Sequence, residues 1–266
     1  MLALGAIQTT LANPSPSRAH RSSSPSTPSN TINHNQFHKD WDELLKTYTS
    51  PVGPVTKVDY KEWKKHPEKL NRYLASLSEI KKRQFESWNK NQQLAFLYNA
   101  YNAFTIKLIL DHYPIASIKK IGGWFSSPWK ISFFSLLGEK TNLDTIEHQM
   151  VRKNYHEPRS HFALNCASIG CPQLRGEAYL PTKLEPQLQE QALLFLNDSS
   201  RNFVDLKNNK LKLSKIFDWF KIDFGGSDKD VILFVAPYIH ILKPPPQDLD
   251  FWKLDFFEYN WALNEK

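Results

Sequence analysis

Apolar positions along this chain recur at helical intervals first and at mixed, shorter intervals later. "FHKDWDELLKTY" (37–48) sets Trp41, Leu44 and Leu45 on one face of an amphipathic helix. "DYKEWKKHPEKLNRYLASLSEI" (59–80) supplies one or two further helices, interrupted around His66-Pro67. "NQQLAFLYNAYNAFTIKLILDHY" (91–113) is apolar nearly all round, which predicts a buried central helix. "WKISFFSLLG" (129–138) reads as a strand or hairpin and "LDTIEHQMVRKNY" (143–155) as a new helix. There Asp144 and Glu147 have the spacing of a capping box, which gives Glu147 a structural task and leaves His148 free to face a cleft.

"SHFALNCAS" (160–168) reads as a strand, with His161, Ala163, Asn165 and Ala167 on one side and Phe162, Leu164 and Cys166 on the other. Alternation therefore parts His161 from Cys166 unless the chain ends or bends at Asn165, and "NCASIGCP" is poor strand material. Beyond it lie a helix (183–198), a hairpin with an Asn-Asn turn (201–217) and "DVILFVAPYI" (230–239), a helix or strand. The tail from 244 returns aromatic surface to the core. The pattern predicts a single α+β domain: a helix-rich N-terminal half with a buried central helix packed on a small mixed or antiparallel sheet.

With 266 residues, 41% of them hydrophobic, the chain can bury one core and a small satellite. Nine glycines and no phosphate-cradling glycine motif argue against dinucleotide and P-loop enzymes, and no cofactor is expected. The net charge of +7 is spread in short lysine groups with acidic residues among them, so no nucleic-acid partner is expected. Residues 1–12 resemble a truncated signal-peptide remnant, apolar from 2 to 7 with "TLA" before Asn13 but no positive start. Residues 13–37 read as a disordered Ser/Pro-rich linker and 38–266 as the folded part. Export to the periplasm or medium is the expectation, a cytoplasmic address the alternative. No apolar run is long enough for a membrane span.

The chemistry concentrates in "HFALNCASIGCPQLR" (161–175), which holds both cysteines. Four readings compete for Cys166 and Cys171: a disulfide closing a small loop, inert buried sulfur, a catalytic thiol, or part of a zinc site with His148 and His161. A thiolate needs an imidazole, a cation or a helix N-terminus nearby, and His161, His148 and Arg175 are the candidates in sequence. Asn99, Asn102 or Asn165 could hold the imidazole; the first two share a face of the central helix and must find partners if buried. Pro172 biases Cys171 away from helical backbone, whereas "ASIG" after Cys166 could form one helical turn aimed at its sulfur. Cys166 is thus the better nucleophile.

The strings "FLYNAYNAFTIKLIL", "LDTIEHQMVR", "HFALNCASIGCPQLRGEAY", "LSKIFDWFKIDFG" and "EYNWALN" resemble successive blocks of the family called domain of unknown function 547, from about residue 38 to the C-terminus. The resemblance implies a context of bacterial exported proteins, or of eukaryotic chains alongside glutaredoxin-like or DEP modules. It maps the family's histidine and cysteines onto His161, Cys166 and Cys171, its Glu-His pair onto Glu147 and His148, and its helix asparagines onto Asn99 and Asn102. "WFSSPWKIS" (124–132) departs from the family as an insert. The order histidine-then-cysteine is also similar to that in circularly permuted papain-like enzymes of the NlpC and lecithin–retinol acyltransferase type, an analogy of order only.

These readings lead to one working expectation: a thiol-dependent hydrolase or transferase of an amide or thioester. Cys166 is its nucleophile, His148 or His161 its base and Asn102 the orienter. Arg175, Asn99, Asn165 and Glu147 serve binding, with Arg175 for an anionic group. The alternative is a non-enzymatic binding or scaffold domain with structural cysteines. In either case the partner is a small molecule or peptide.

Overall fold

The computed structural model describes residues 32–123, 126–242, 246 and 248–266. The expected signal-peptide remnant (1–12), most of the linker and two positions of the 124–132 insert lie outside the described residues.

Folding begins earlier than expected. Helix α1 (His34–Phe37) is capped by the Asn33 side chain, and the His34 ring packs edge-on to Trp88 at 4.6 Å, so the end of the expected linker belongs to the folded unit. Helix α2 (Lys39–Tyr48) buries Trp41, Leu44 and Leu45 as its periodicity requires. Strands β1 (Thr49–Val52) and β2 (Val55–Val58) form a short antiparallel hairpin the pattern did not indicate. Helices α3 (Tyr60–Trp63) and α4 (Glu68–Glu79) flank the break at His66-Pro67.

After α5 (Lys82–Glu86) comes α6 (Lys90–His112), started by an Asn89–Gln92 capping box and buried on nearly every side. It packs against α3, α4 and a π-helical segment (Thr145–Arg152) that continues into α7 (Lys153–Tyr155). It also meets the hairpin of β3 (Phe134–Leu136) and β4 (Glu139–Thr141), where Phe104 stacks on Phe134 at 3.7 Å. Trp41, stacked on Tyr73 at 5.9 Å, and Trp63, stacked on Tyr48 at 4.8 Å, seal the helical half.

The second half holds α8 (Ser160–Ala163) and α9 (Leu184–Leu196), then β5 (Phe203–Asp205) and β6 (Lys210–Leu213), then α10 (Ile216–Trp219) and α11 (Asp228–Val235). Strand β7 (Lys253–Phe256) adds to β6 in parallel while β5 pairs antiparallel, so the three-stranded sheet is mixed. A second core forms around Phe162, Leu211, Leu213, Phe217, Phe224 and Ile232. The architecture is α+β. No described helix is long and apolar enough to cross a membrane.

Candidate functional site

Two sequence expectations fail at residues 160–171. The stretch expected as a strand is the short helix α8 followed by irregular chain, so strand alternation does not separate His161 from Cys166. "ASIG" makes no helical turn either. Ala167 takes a left-handed φ of 59°, Ser168 pairs with Leu263, and Cys171 N–H closes a turn on Ser168 C=O at 3.1 Å. The residues after Cys166 therefore offer its sulfur no helix N-terminus of their own. The physical reason lies in tertiary hydrogen bonds that outweigh local propensity.

Those bonds come from the asparagines. Asn102 donates to Ala163 C=O at 2.9 Å and accepts Asn165 N–H at 2.8 Å. Asn165 accepts Ala167 N–H at 2.9 Å and donates to Pro172 C=O at 2.8 Å, tying the two ends of the cysteine loop. Asn99 makes the same two-ended clamp on Tyr179, at 2.8 and 2.9 Å. All three are buried, with their amides spent on backbone. Asn102 is a backbone clamp; its partners include neither an imidazole nor a sulfur.

Within this loop the sulfurs of Cys166 and Cys171 lie at disulfide distance, with Cα atoms 6.1 Å apart. Cys166 N–H donates to Cys171 Sγ at 2.8 Å. Buried Arg201, held by Asp198, donates to Cys171 C=O and, at 2.8 Å, to Pro54 C=O. The C-terminal tail closes the other side. Ile169 N–H and Gly170 N–H donate to Ala262 and Asn260 C=O at 2.9 and 2.8 Å. A Cβ at Gly170 would stand 3.0 Å from both Asn260 O and the Tyr259 ring, so the approach needs glycine. Tyr259 Oη sits 3.1 Å from Cys166 Sγ, and Ser168 Oγ sits 3.2 Å from both. Burial pushes the Tyr259 phenol up, so it stays a neutral hydroxyl.

Cys166, Cys171 and Pro172 lie on one side of a cavity of about 210 Å³. Aromatic rings from distant segments wall it: Trp129, Trp219, Phe220, Tyr259 and Trp261. Trp219, Tyr259 and Trp261 touch one another at 4.5 to 5.7 Å. His148, His161, Asp144 and Glu147 complete the polar lining.

His161 stacks on Phe220 at 4.2 Å, and its Nε2 lies 2.7 Å from Asp223 Oδ2. Arg152 grips the same carboxylate through Nε at 2.5 Å and Nη2 at 3.0 Å. Burial would raise the Asp223 pKa, but hydrogen bonds from His161 and Arg152 outweigh it and hold the carboxyl well below its usual range. Arg152 Nη1 also lies 2.8 Å from His148 Nδ1, so Arg152 and Asp223 link the two imidazoles.

Glu147 departs from its expected capping role. Asp144 has no side-chain cap bond; Asn142 Oδ1 takes the Thr145 N–H at 2.9 Å, and Glu147 accepts the Tyr101 hydroxyl at 3.0 Å. Glu147 stays in the first turn of this π-helical segment, but its carboxylate lines the cavity instead of capping the segment. Arg175 does not join the site: it pairs with Glu177 at 2.7 Å and Glu190 at 2.6 Å and does not line the cavity. Spacing offered no route to Asp223, which lies 62 positions from His161, nor to Arg201. The only trace of the aromatic wall was the recurrence of Trp and Tyr in "DWFKIDFG" and "EYNWALN".

The family model of DUF547, a protein family of unknown function, matches residues 85–196. That stretch is similar to the DUF547 family. It carries α6, the Glu-His pair and both cysteines; the aromatic wall from Trp219 onward and Asp223 lie beyond it. Neither the curated proteins nor the solved structures yield a significant match to the chain.

Proposed function

We propose that the chain is a binding domain for a small organic molecule or a peptide group, with the Cys166–Cys171 bridge fixing one side of its cleft. The observation that carries this reading is the commitment of both sulfurs to each other, inside a loop clamped by Asn102, Asn165 and Arg201. Among the described residues the polar neighbours of the sulfurs are backbone, Ser168 and Tyr259, and no imidazole is hydrogen-bonded to either. A bridge of this kind persists in an oxidising compartment, which supports a periplasmic or secreted address.

A second reading, a thiol-dependent hydrolase or transferase, is favoured by a separate observation. His161, held by Asp223, lines the same cavity as Cys166. In the reduced protein Cys166 would attack an amide or thioester carbonyl, with His161 taking the thiol proton and the Asp223 carboxylate stabilising the imidazolium.

Thiol titration with and without reductant separates the two. For a binding domain, neither cysteine alkylates until reductant and denaturant are added, and Cys166→Ala changes cleft binding rather than any turnover. One fast-alkylating thiol near neutral pH in the folded protein overturns that reading in favour of the enzyme.

A further inference from the structure

The chain carries a net charge of +7 with 34 lysines and arginines, yet among the described residues none of these lines the cavity. Its only charged-type side chains other than imidazoles are the carboxylates of Asp144 and Glu147. Glu147 forms no ion pair among the described residues, and its hydrogen-bond partner is the neutral Tyr101 hydroxyl at 3.0 Å. Asp144 has His148 Nε2 at 3.7 Å. Two guanidiniums stand behind the lining, Arg152 spent on Asp223 beside the neighbouring depression and Arg201 spent on Asp198 and the Cys171 carbonyl. Cations reach the aromatic wall only from outside the cavity lining, Lys119 over Trp261 at 5.0 Å and Arg152 over Phe220 at 4.7 Å.

The aromatic part of the lining has the matching property. Trp219, Tyr259 and Trp261 form one contiguous group, and Trp129 meets Trp261 at 5.7 Å. Indole and phenol faces carry a negative quadrupole that attracts ammonium groups. Trp261 already takes one within the fold, with Lys119 Nζ 5.0 Å from its ring centroid. At about 210 Å³ the cavity is smaller than the ~300–1,000 Å³ of typical small-molecule pockets, room for a head group rather than a large ligand.

We infer that the ligand of this cleft is a small organic cation, a substituted ammonium held between the Glu147 carboxylate and the Trp219–Tyr259–Trp261 wall. The inference rests on the binding reading and names its ligand class. Carboxylate and aromatic faces both favour a positive charge. An anionic ligand would meet two carboxylates with no lysine or arginine to offset them, and a neutral apolar one would leave Glu147 desolvated and uncompensated.

The test uses the whole chain and three isosteric probes at physiological ionic strength: choline, the neutral 3,3-dimethyl-1-butanol and the anionic trimethylacetate. Calorimetry or tryptophan fluorescence is expected to show choline binding about tenfold more tightly than the alcohol. Trimethylacetate should not bind detectably. Glu147→Gln keeps the acceptor for Tyr101 and should lower choline affinity about tenfold while leaving the alcohol unchanged. Trp219→Ala, at a half-exposed site, should weaken choline with an unaltered circular dichroism spectrum. Equal affinity for choline and the alcohol overturns the cation inference but leaves the binding reading standing. Failure of all three probes in a folded protein overturns both.

Discussion

The chain holds two aromatic clusters of similar composition and opposite design. In the helical half, Trp41, Trp63 and Tyr73 are almost completely buried and stack within segments close in sequence. In the cleft, Trp129, Trp219, Tyr259 and Trp261 arrive from segments far apart, and Trp219 remains 44% exposed. Sealed rings contribute transfer and dispersion energy to folding. Rings left facing a cavity have given up part of that contribution, and the surface they keep exposed is available to a ligand.

The contrast is broken most directly at Trp41. Trp41→Ala should destabilise the fold by about 3–5 kcal/mol, read as a lowered denaturation midpoint. An effect below about 1 kcal/mol would mean that the sealed cluster is not what holds the helical half.

Acid provides the next largest effect, through His38. This ring is fully buried beside Tyr73, with Nδ1 2.7 Å from its hydroxyl and Nε2 without a partner. Burial first, and then the charge of His34, lower its pKa from the ordinary 6.5 to about 3. Between those values the unfolded chain binds a proton that the folded chain refuses, so stability is full above 6.5 and falls as pH drops towards 3. His34 is shifted the same way by burial. The expected loss is on the order of 4–5 kcal/mol across that window, and His38→Gln should flatten the profile of denaturation midpoint against pH.

Opening the Cys166–Cys171 bridge comes third. A loop with a sequence separation of 5 contributes about 2 kcal/mol in the chain-entropy model. Reductant, or Cys166→Ala with Cys171→Ala, should therefore lower stability by that amount and loosen the cleft. Denaturation curves that coincide with and without reductant would show that Asn102, Asn165 and Arg201 hold the loop unaided.

The smallest effect on stability is expected at Trp219. Trp219→Ala should cost only about 1–2 kcal/mol, since nearly half of the side chain is already in water. Its consequence belongs in ligand affinity. A loss as large as that at Trp41 would erase the distinction between the two clusters.

The same division runs through what the chain pattern reveals. Periodicity is enough to locate α2, α4, α6 and α9, because each buries a face through neighbours three and four positions away. The break at His66-Pro67 and the β5–β6 hairpin are legible for equally local reasons. Two errors show where local reasoning stops. "SHFALNCAS" alternates well enough for a strand, but only Ser168 at its end is bridged, to Leu263, and Asn102 and Asn165 take the backbone groups before it. "DTIE" has capping-box spacing, but Asn142 supplies the cap and Tyr101 claims Glu147.

Short-range rules thus settle most of the long helices and the α+β class. Tertiary structure alone decides that His161 meets Asp223, that Arg201 grips the Cys171 carbonyl, and that Tyr259 and Trp261 return from the tail to roof the cysteines. Each of those contacts joins residues dozens of positions apart, where no period of 2 or 3.6 carries information. They form because burying the tail's rings and pairing every polar group of the loop can be achieved together only in this arrangement.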